Sequence, residues 1–250
     1  MATDWTPLIW LAALIVPLLV VKRWLSRHLQ GIGLLLSGDA ETATLVHYLI
    51  LLPGIVLHEF SHYLAAKLVG VKTAGISLKP QAKRGGNIRL GAVKVKKADP
   101  FRESWIGLAP LISGSVAILL LARWQFGVEA LPILHPDAVA KTFVSSLQRP
   151  DALLWLYFIF SISNAMLPSE SDRQAWVSVL LFLGLAAALV YVSGVTVQMP
   201  VSLKRSLLTG VTYLAFTFGL ALMVDLPVAL ALFLLEKLGE AVLHRHVEYP

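Results

Sequence analysis

The 250-residue chain contains no cysteine. Without thiols there is neither a disulfide framework nor a thiolate metal site, so any metal must be held by nitrogen and oxygen. Charge is also scarce: Asp, Glu, Lys and Arg make up 14% of the residues, against about 25% in soluble domains. Hydrophobic residues reach 57% and fall in long uncharged runs instead of alternating patterns, which excludes an ordinary soluble domain. No internal repeat, low-complexity tract or stretch long enough for a separate soluble unit is present. The start, MATDW, lacks the Lys/Arg-rich opening and small-residue cleavage site of a secretory signal, so the first apolar run is expected to stay as a span. The net charge of +6 comes from basic residues crowded beside apolar runs. Anionic lipid and topology account for that placement better than nucleic acid does, and no nucleic-acid partner is expected.

A helix needs about 20 apolar residues to cross about 30 Å of hydrocarbon. Six runs come near that length: 5–21, 43–66, 104–122, 152–169, 176–198 and 206–224. A further run, 226–235, is too short alone. With Asp225 and Pro227 at its junction it reads as a kinked continuation of the sixth span or an interfacial helix. The expected fold is an α-helical polytopic membrane protein with about six transmembrane helices, seven if the last run is separate. It forms one transmembrane domain over 1–250, with a core at about 43–175 and C-terminal helices at 176–250. Trp5, Trp10, Trp24, Trp105 and Trp155 fall near predicted span ends and suit interfacial anchoring.

The segment 67–102 has a different composition. Lys67, Lys72, Lys79, Lys83, Arg84, Arg89, Lys94, Lys96, Lys97 and Arg102 stand there against a lone acid, Asp99. The positive-inside rule places this loop on the cytoplasmic side, against anionic headgroups. The same orientation leaves Lys22, Arg23 and Arg27 at the outer end of the first span, and Lys204 and Arg205 at the outer end of the fifth, as exceptions to the rule. Inside the segment, AGISLKP and NIRLGAVKVKK read as short strands around QAKRGG, where Gly85 and Gly86 supply turn chemistry. Ile88 and Leu90 alternate with Arg89, then Val93 and Val95 alternate with Lys94 and Lys96, and the phase change at Gly91-Ala92 predicts a bulge. A small membrane-associated β-hairpin after the second helix is expected.

The stretch LPGIVLHEFSHYLAAKLVG, residues 52–70, places two histidines and a glutamate inside the second apolar run. A charged group at a helix centre in a bilayer costs on the order of 2.5–3.5 kcal/mol even on the lenient insertion scale, and such groups usually mark function. His58 and His62 are separated by one helical turn, so at about 100° per residue they lie roughly 40° apart on one face and can reach one ion. Glu59 points about 100° away from His58, better placed to touch a water than to complete the ligand set. This is the HExxH arrangement of zinc hydrolases, in which zinc acidifies water and the glutamate takes the proton. At this chain's His and Glu frequencies the pattern arises by chance in roughly one chain in a hundred or two, so it is informative. Catalytic zinc normally takes three protein ligands. Asp172, in SISNAMLPSESDRQAW, lies just beyond the fourth run and level with HEFSH, and Glu170 is the competing carboxylate.

These residues resemble the site-2 protease family of intramembrane zinc metalloproteases, which pairs HExxH with a later NxxPxxxxDG motif. HEFSH matches in full through His58, Glu59 and His62, and Asn164 and Asp172 keep the family's Asn-to-Asp spacing. Pro168 stands one position later than the motif has it, and Arg173 takes the place of the glycine. The resemblance covers about 43–172, without a PDZ-like insert. It implies one Zn2+ per chain held by His58, His62 and Asp172, with Glu59 as catalytic base and Asn164 helping to hold the substrate. The implied activity is cleavage of membrane-spanning protein substrates near the cytoplasmic face, in a bacterial-type cytoplasmic membrane or an organelle membrane. Such a substrate must be held extended, and the edge of the strand carrying Val93 and Val95, or that of the run 74–79, is expected to pair with it.

Two other readings use the same residues. One is a membrane-anchored gluzincin-like protease acting on soluble or misfolded chains, with a glutamate as third ligand. The other is a non-catalytic zinc-containing membrane scaffold, which would have no need of Glu59. His47 lies about 16 Å from His58 along the helix, too far to share its ion, and reads as an interface residue. His244 and His246 read as solvated tail residues.

Overall fold

The computed structural model describes residues 5–77, 81–82, 88–89, 92–127, 141, 144, 147–193, 199–244 and 246. Its elements in chain order are α1 (Thr6–Ser37), α2 (Ala40–Leu68), β1 (Thr73–Ser77), β2 (Gln81–Ala82), β3 (Ile88–Arg89), β4 (Ala92–Val95), α3 (Pro100–Phe126), α4 (Ala152–Met166), α5 (Glu170–Arg173), α6 (Trp176–Val192) and α7 (Val201–Leu243). The helix ends follow local chemistry. Gly38, at φ 70°, closes α1 in the left-handed conformation that glycine tolerates, and the Asp39 carboxylate then caps α2 by accepting from the Thr42 N–H at 2.7 Å. Asp99 caps α3 in the same way, with Pro100 in the first helical position.

Among the described residues, α1, α2, α3 and α7 are each long and apolar enough to cross a membrane, and α4 with Glu170–Ala186 makes a fifth if that pair, bent by 50°, is one span. The described residues thus show four or five such helices where the sequence suggests six. Runs 152–169 and 176–198 contain the described helices α4, of 15 residues, and α6, of 17, with the polar segment from Ser169 to Arg173 between them. The run 226–235 is not a separate helix, because α7 continues unbroken for 43 residues through Asp225 and Pro227. Nor does α1 stop at Val21. Its buried stripe of Leu18, Leu25, Leu29 and Leu35 continues past Lys22, Arg23 and Arg27, so packing of that face sets its length and the basic residues sit partway along it.

Helix α2 runs back along α1, with Gly33 so close to Ala43 that a Cβ on Gly33 would fall 2.9 Å from the Ala43 Cα. Helix α7 lies parallel to α1. The Lys204 ammonium sits 5.7 Å from the Trp5 ring centre, His28 pairs with Glu236, and Leu35 abuts Gly239. The start of α7 therefore shares an end of the bundle with the start of α1 and with the strands that follow α2. Lys204 and Arg205 stand at the same end as the basic segment 67–102, opposite to the sequence expectation. The parallel placement of α7 beside α1 accounts for it.

Strand β1 pairs antiparallel with β4 (Thr73↔Val95, Ile76↔Val93, Ser77↔Ala92), and β2 pairs with β3 (Gln81↔Arg89, Ala82↔Ile88). The register irregularity falls in β1 between Thr73 and Ile76, where Gly75 has φ 108°; the expected phase change at Gly91 lies outside the described residues. The main core joins Leu18 and Leu25 of α1, Leu51 and Ile55 of α2, Ile118 of α3, Ile159 and Phe160 of α4 and Phe216 of α7. A second cluster of Ala65, Ala66, Val71 and Ile106 lies where α2 leads into the strands. His47 is buried at 2% exposure, so it belongs to the helix interior and not to an interface.

Candidate metal centre

Three helices approach one another unusually closely around HEFSH, and small residues allow it. A Cβ on Gly54 of α2 would come within 2.0 Å of the Ser161 carbonyl oxygen of α4, and the Gly54 N–H donates to the Ser161 hydroxyl oxygen at 2.9 Å. A Cβ on Gly107 of α3 would meet the Asp172 carbonyl oxygen at 2.1 Å. Any side chain at either position would push α4 or α5 away from the histidines. Close approach through small residues is how helices pack where lipid tails remove the hydrophobic drive between them.

His58 and His62 project from α2 with their rings edge to face, centroids 4.7 Å apart. Each donates its Nδ1–H to a backbone carbonyl, His58 to Ala165 of α4 at 2.7 Å and His62 to Ile106 of α3 at 2.9 Å. A carbonyl can only accept, so these bonds leave the Nε2 lone pairs of the neutral rings pointing inward. The two Nε2 atoms are 3.0 Å apart. Asp172 brings Oδ1 to 3.2 Å from His62 Nε2 and Oδ2 to 3.7 Å from His58 Nε2. With both rings neutral these acceptors repel, and a metal ion between them or a proton on one ring relieves the repulsion.

These three residues fit a metal ion: each offers one ligand atom, all within 4.8 Å of one another. Ligand atoms around a tetrahedral zinc stand roughly 3.3 Å apart, given zinc–nitrogen bonds of about 2.0–2.1 Å, and the observed separations of 3.0, 3.2 and 3.7 Å bracket that figure. The carbonyl acceptors on both imidazoles and the hydrogen bonds on the carboxylate are the outer partners that orient metal ligands.

Asp172 is held by its own turn. Its Oδ2 accepts from the Ser169 N–H at 2.7 Å and the Ser169 hydroxyl at 2.6 Å, in a capping box that starts α5. Arg173 continues that turn as a helical residue, and His244 is the one described non-glycine residue with positive φ, so the turn accepts arginine where the family pattern has glycine. Glu170 is exposed, and the structure brings Asp172 to the histidines in its place.

Glu59 is buried on α2, at 6% exposure, within electrostatic reach of His62. Asn164 is not directed at the histidines: its Nδ2 donates to Asp225 Oδ1 of α7 at 3.1 Å and to the Phe160 carbonyl at 2.9 Å. Val93 and Val95 of β4 line a cleft of about 350 Å³ together with His62, Asp172, Lys96 and Glu103. Sequence reasoning missed Ser169, Gly54, Gly107 and Asp225. Asp225 carried a signal, since it is the one acid in an apolar stretch from 206 to 235, but it was read only as a span boundary. Compared with protein-family models, curated proteins and solved structures, the chain finds no match.

Proposed function

We propose that this chain is an intramembrane zinc endopeptidase of the site-2 protease kind, cleaving membrane-spanning protein segments. One observation carries the reading: the inward-facing Nε2 atoms of His58 and His62 and the Asp172 carboxylate converge at a cleft walled by strand β4, inside a bundle of helices of membrane length. The donor set of two imidazoles and a carboxylate suits zinc among the common divalent ions. Zinc, when bound, supplies a Lewis acid that makes a nearby water acidic enough to attack an amide.

The chain's own residues do the rest. The Ala165 and Ile106 carbonyls hold both histidines in the tautomer that presents Nε2, and Ser169 holds Asp172. The Glu59 carboxylate takes the proton from the attacking water and delivers it to the leaving nitrogen. A substrate helix must first be opened, and its freed N–H and C=O groups each cost several kcal/mol in hydrocarbon unless paired. Among the described residues β4 pairs with β1 on one edge only, so the other edge can take an extended substrate beside His62 and Asp172.

Five crossings, with α4 through α6 as one broken span, put the basic segment 67–102 and Lys204 and Arg205 on one side. The positive-inside rule makes that side cytoplasmic, with anionic headgroups as its lipid partner. The test is metal analysis of purified protein together with cleavage of model single-span substrates by wild type and Glu59→Gln. Stoichiometric zinc with cleavage lost in the variant supports the reading. Cleavage that survives Glu59→Gln, or wild-type protein that takes up no zinc, overturns it.

A further inference from the structure

We propose that Asp225 is a positioning residue for the metal centre: it clamps the last turn of α4 so that the Ala165 carbonyl meets His58. This inference rests on the metal-centre reading above and goes beyond it, since Asp225 lies on α7 and outside the HExxH and Asn-to-Asp motifs.

Asp225 is 1% exposed in the interior of an apolar helix, where a carboxylate is costly unless it is hydrogen-bonded. All the hydrogen bonds described for it go to one place. Its Oδ1 accepts from the Ser163 hydroxyl and from the Asn164 Nδ2, each at 3.1 Å. Both donors belong to the final turn of α4, which ends at Met166. The last carbonyls of a helix have no partner within it, so Ala165, the next residue, has an oxygen to offer. That oxygen receives the His58 Nδ1–H at 2.7 Å. The chain then turns through Pro168 into the Ser169 cap that carries Asp172. A single helix turn, tied from behind by Asp225, thus orients one ligand directly and starts the loop that presents another. Asn164 acts in this arrangement as the link between α7 and α4.

Cobalt(II) reports the site by affinity and by its visible ligand-field band, without any need for turnover. Metal-free full-length protein in lipid nanodiscs would be titrated with Co2+ as wild type, Asp225→Ala, Asp225→Asn and Thr217→Ala. Thr217 is a fully buried residue of the same helix, bonded to the Tyr213 carbonyl and remote from the α4 donors in its bonding, so it controls for general damage to α7. Changes to the outer partners of metal ligands typically cost about 10–100-fold in affinity. Asp225→Ala is expected to weaken cobalt binding by about tenfold or more and to shift the band. Asp225→Asn keeps an acceptor oxygen and should restore both, which separates the clamp from the charge. Lys22 of α1 lies within electrostatic reach of both Asp225 and Asp172, so a pure charge effect would instead follow Asp225→Asn as well.

If Asp225→Ala does not fold, the double substitution Ser163→Ala and Asn164→Ala removes the same bonds from the other side and should reproduce the loss. Where both fold, combining them should add nothing further. Wild-type affinity and band in Asp225→Ala, or equal losses in Asp225→Asn and Thr217→Ala, would overturn the inference while leaving the metal centre standing. Wild-type protein that binds no cobalt would instead remove the metal-centre reading and this inference with it.

Discussion

The bundle buries two polar clusters on either side of the last turn of α4, and they are built on opposite principles. At His58, His62 and Asp172 the atoms that face one another are all acceptors, 3.0–3.7 Å apart. At Ser163, Asn164 and Asp225 two donors meet one acceptor oxygen at 3.1 Å. The second cluster pairs donors of the chain with Asp225 Oδ1, while Asp225 Oδ2 is buried without a hydrogen-bond partner among the described residues. In the first, neutral imidazoles face a carboxylate with acceptors alone, so a metal ion or an added proton is needed to make the contacts favourable. Burial alone therefore does not identify a functional site in an apolar bundle; the balance of donors and acceptors does.

The comparison breaks most visibly if a ligand is removed. His62→Ala should abolish metal binding, reducing stoichiometry from one per chain towards zero by elemental analysis, a loss well beyond the about 10–100-fold typical of outer partners. An unchanged metal content would mean that the convergence of acceptors is not a metal centre. The next largest effect is on turnover. Glu59→Gln should lower cleavage of a single-span substrate by about 10²–10⁴-fold while metal content stays at the wild-type level. Metal loss in that variant would move Glu59 into the ligand set.

Ser169→Ala sharpens the contrast in another way, because it takes one hydrogen bond from a ligand without touching the metal. The Ser169 N–H to Asp172 survives, so zinc affinity should fall by about tenfold, at the lower end of the outer-partner range, and Ser169→Thr should restore it. Equal affinity in Ser169→Ala would show that the α5 turn positions Asp172 without the hydroxyl. The smallest effect concerns β4. Neighbouring residues of a strand turn their N–H groups to opposite edges, so proline at Val93 or at Lys94 removes one donor from each edge in turn. One lost hydrogen bond of about 0.5–1.5 kcal/mol corresponds to roughly a 2- to 13-fold fall in cleavage, with zinc retained. Full cleavage by both variants would leave the strand edge with no part in substrate binding.

Legibility differed along the chain for physical reasons. The histidine pair could be read directly, because spacing on one helix is fixed by the helical repeat whatever surrounds it. Asp172 is favoured over Glu170 in the sequence by its level with HEFSH and by the family spacing, but the means of holding it, the Ser169 capping box and the approach of Gly107 to its backbone, is not written in any local pattern. Asn164 was read through the family pattern as a residue near the substrate, whereas its amide bonds to Asp225. Apolar length alone does not say where the chain bends, and the polar turn at Ser169–Arg173 lies between two apolar helices that meet at a 50° bend.

The sequence by itself determined an apolar, helix-rich chain, a thiol-free choice of ligands, and the placing of His58, Glu59 and His62 on one turn of α2, since each follows from composition or from a period of a few residues. The tertiary structure alone decided which carboxylate faces the histidines, which carbonyls fix their tautomers, that α7 lies parallel to α1, and that Asp225 meets α4. Those outcomes join residues 44 to 208 positions apart. They depend on how closely helix backbones approach at Gly54 and Gly107, a property of packed surfaces that no local repeat in the sequence encodes.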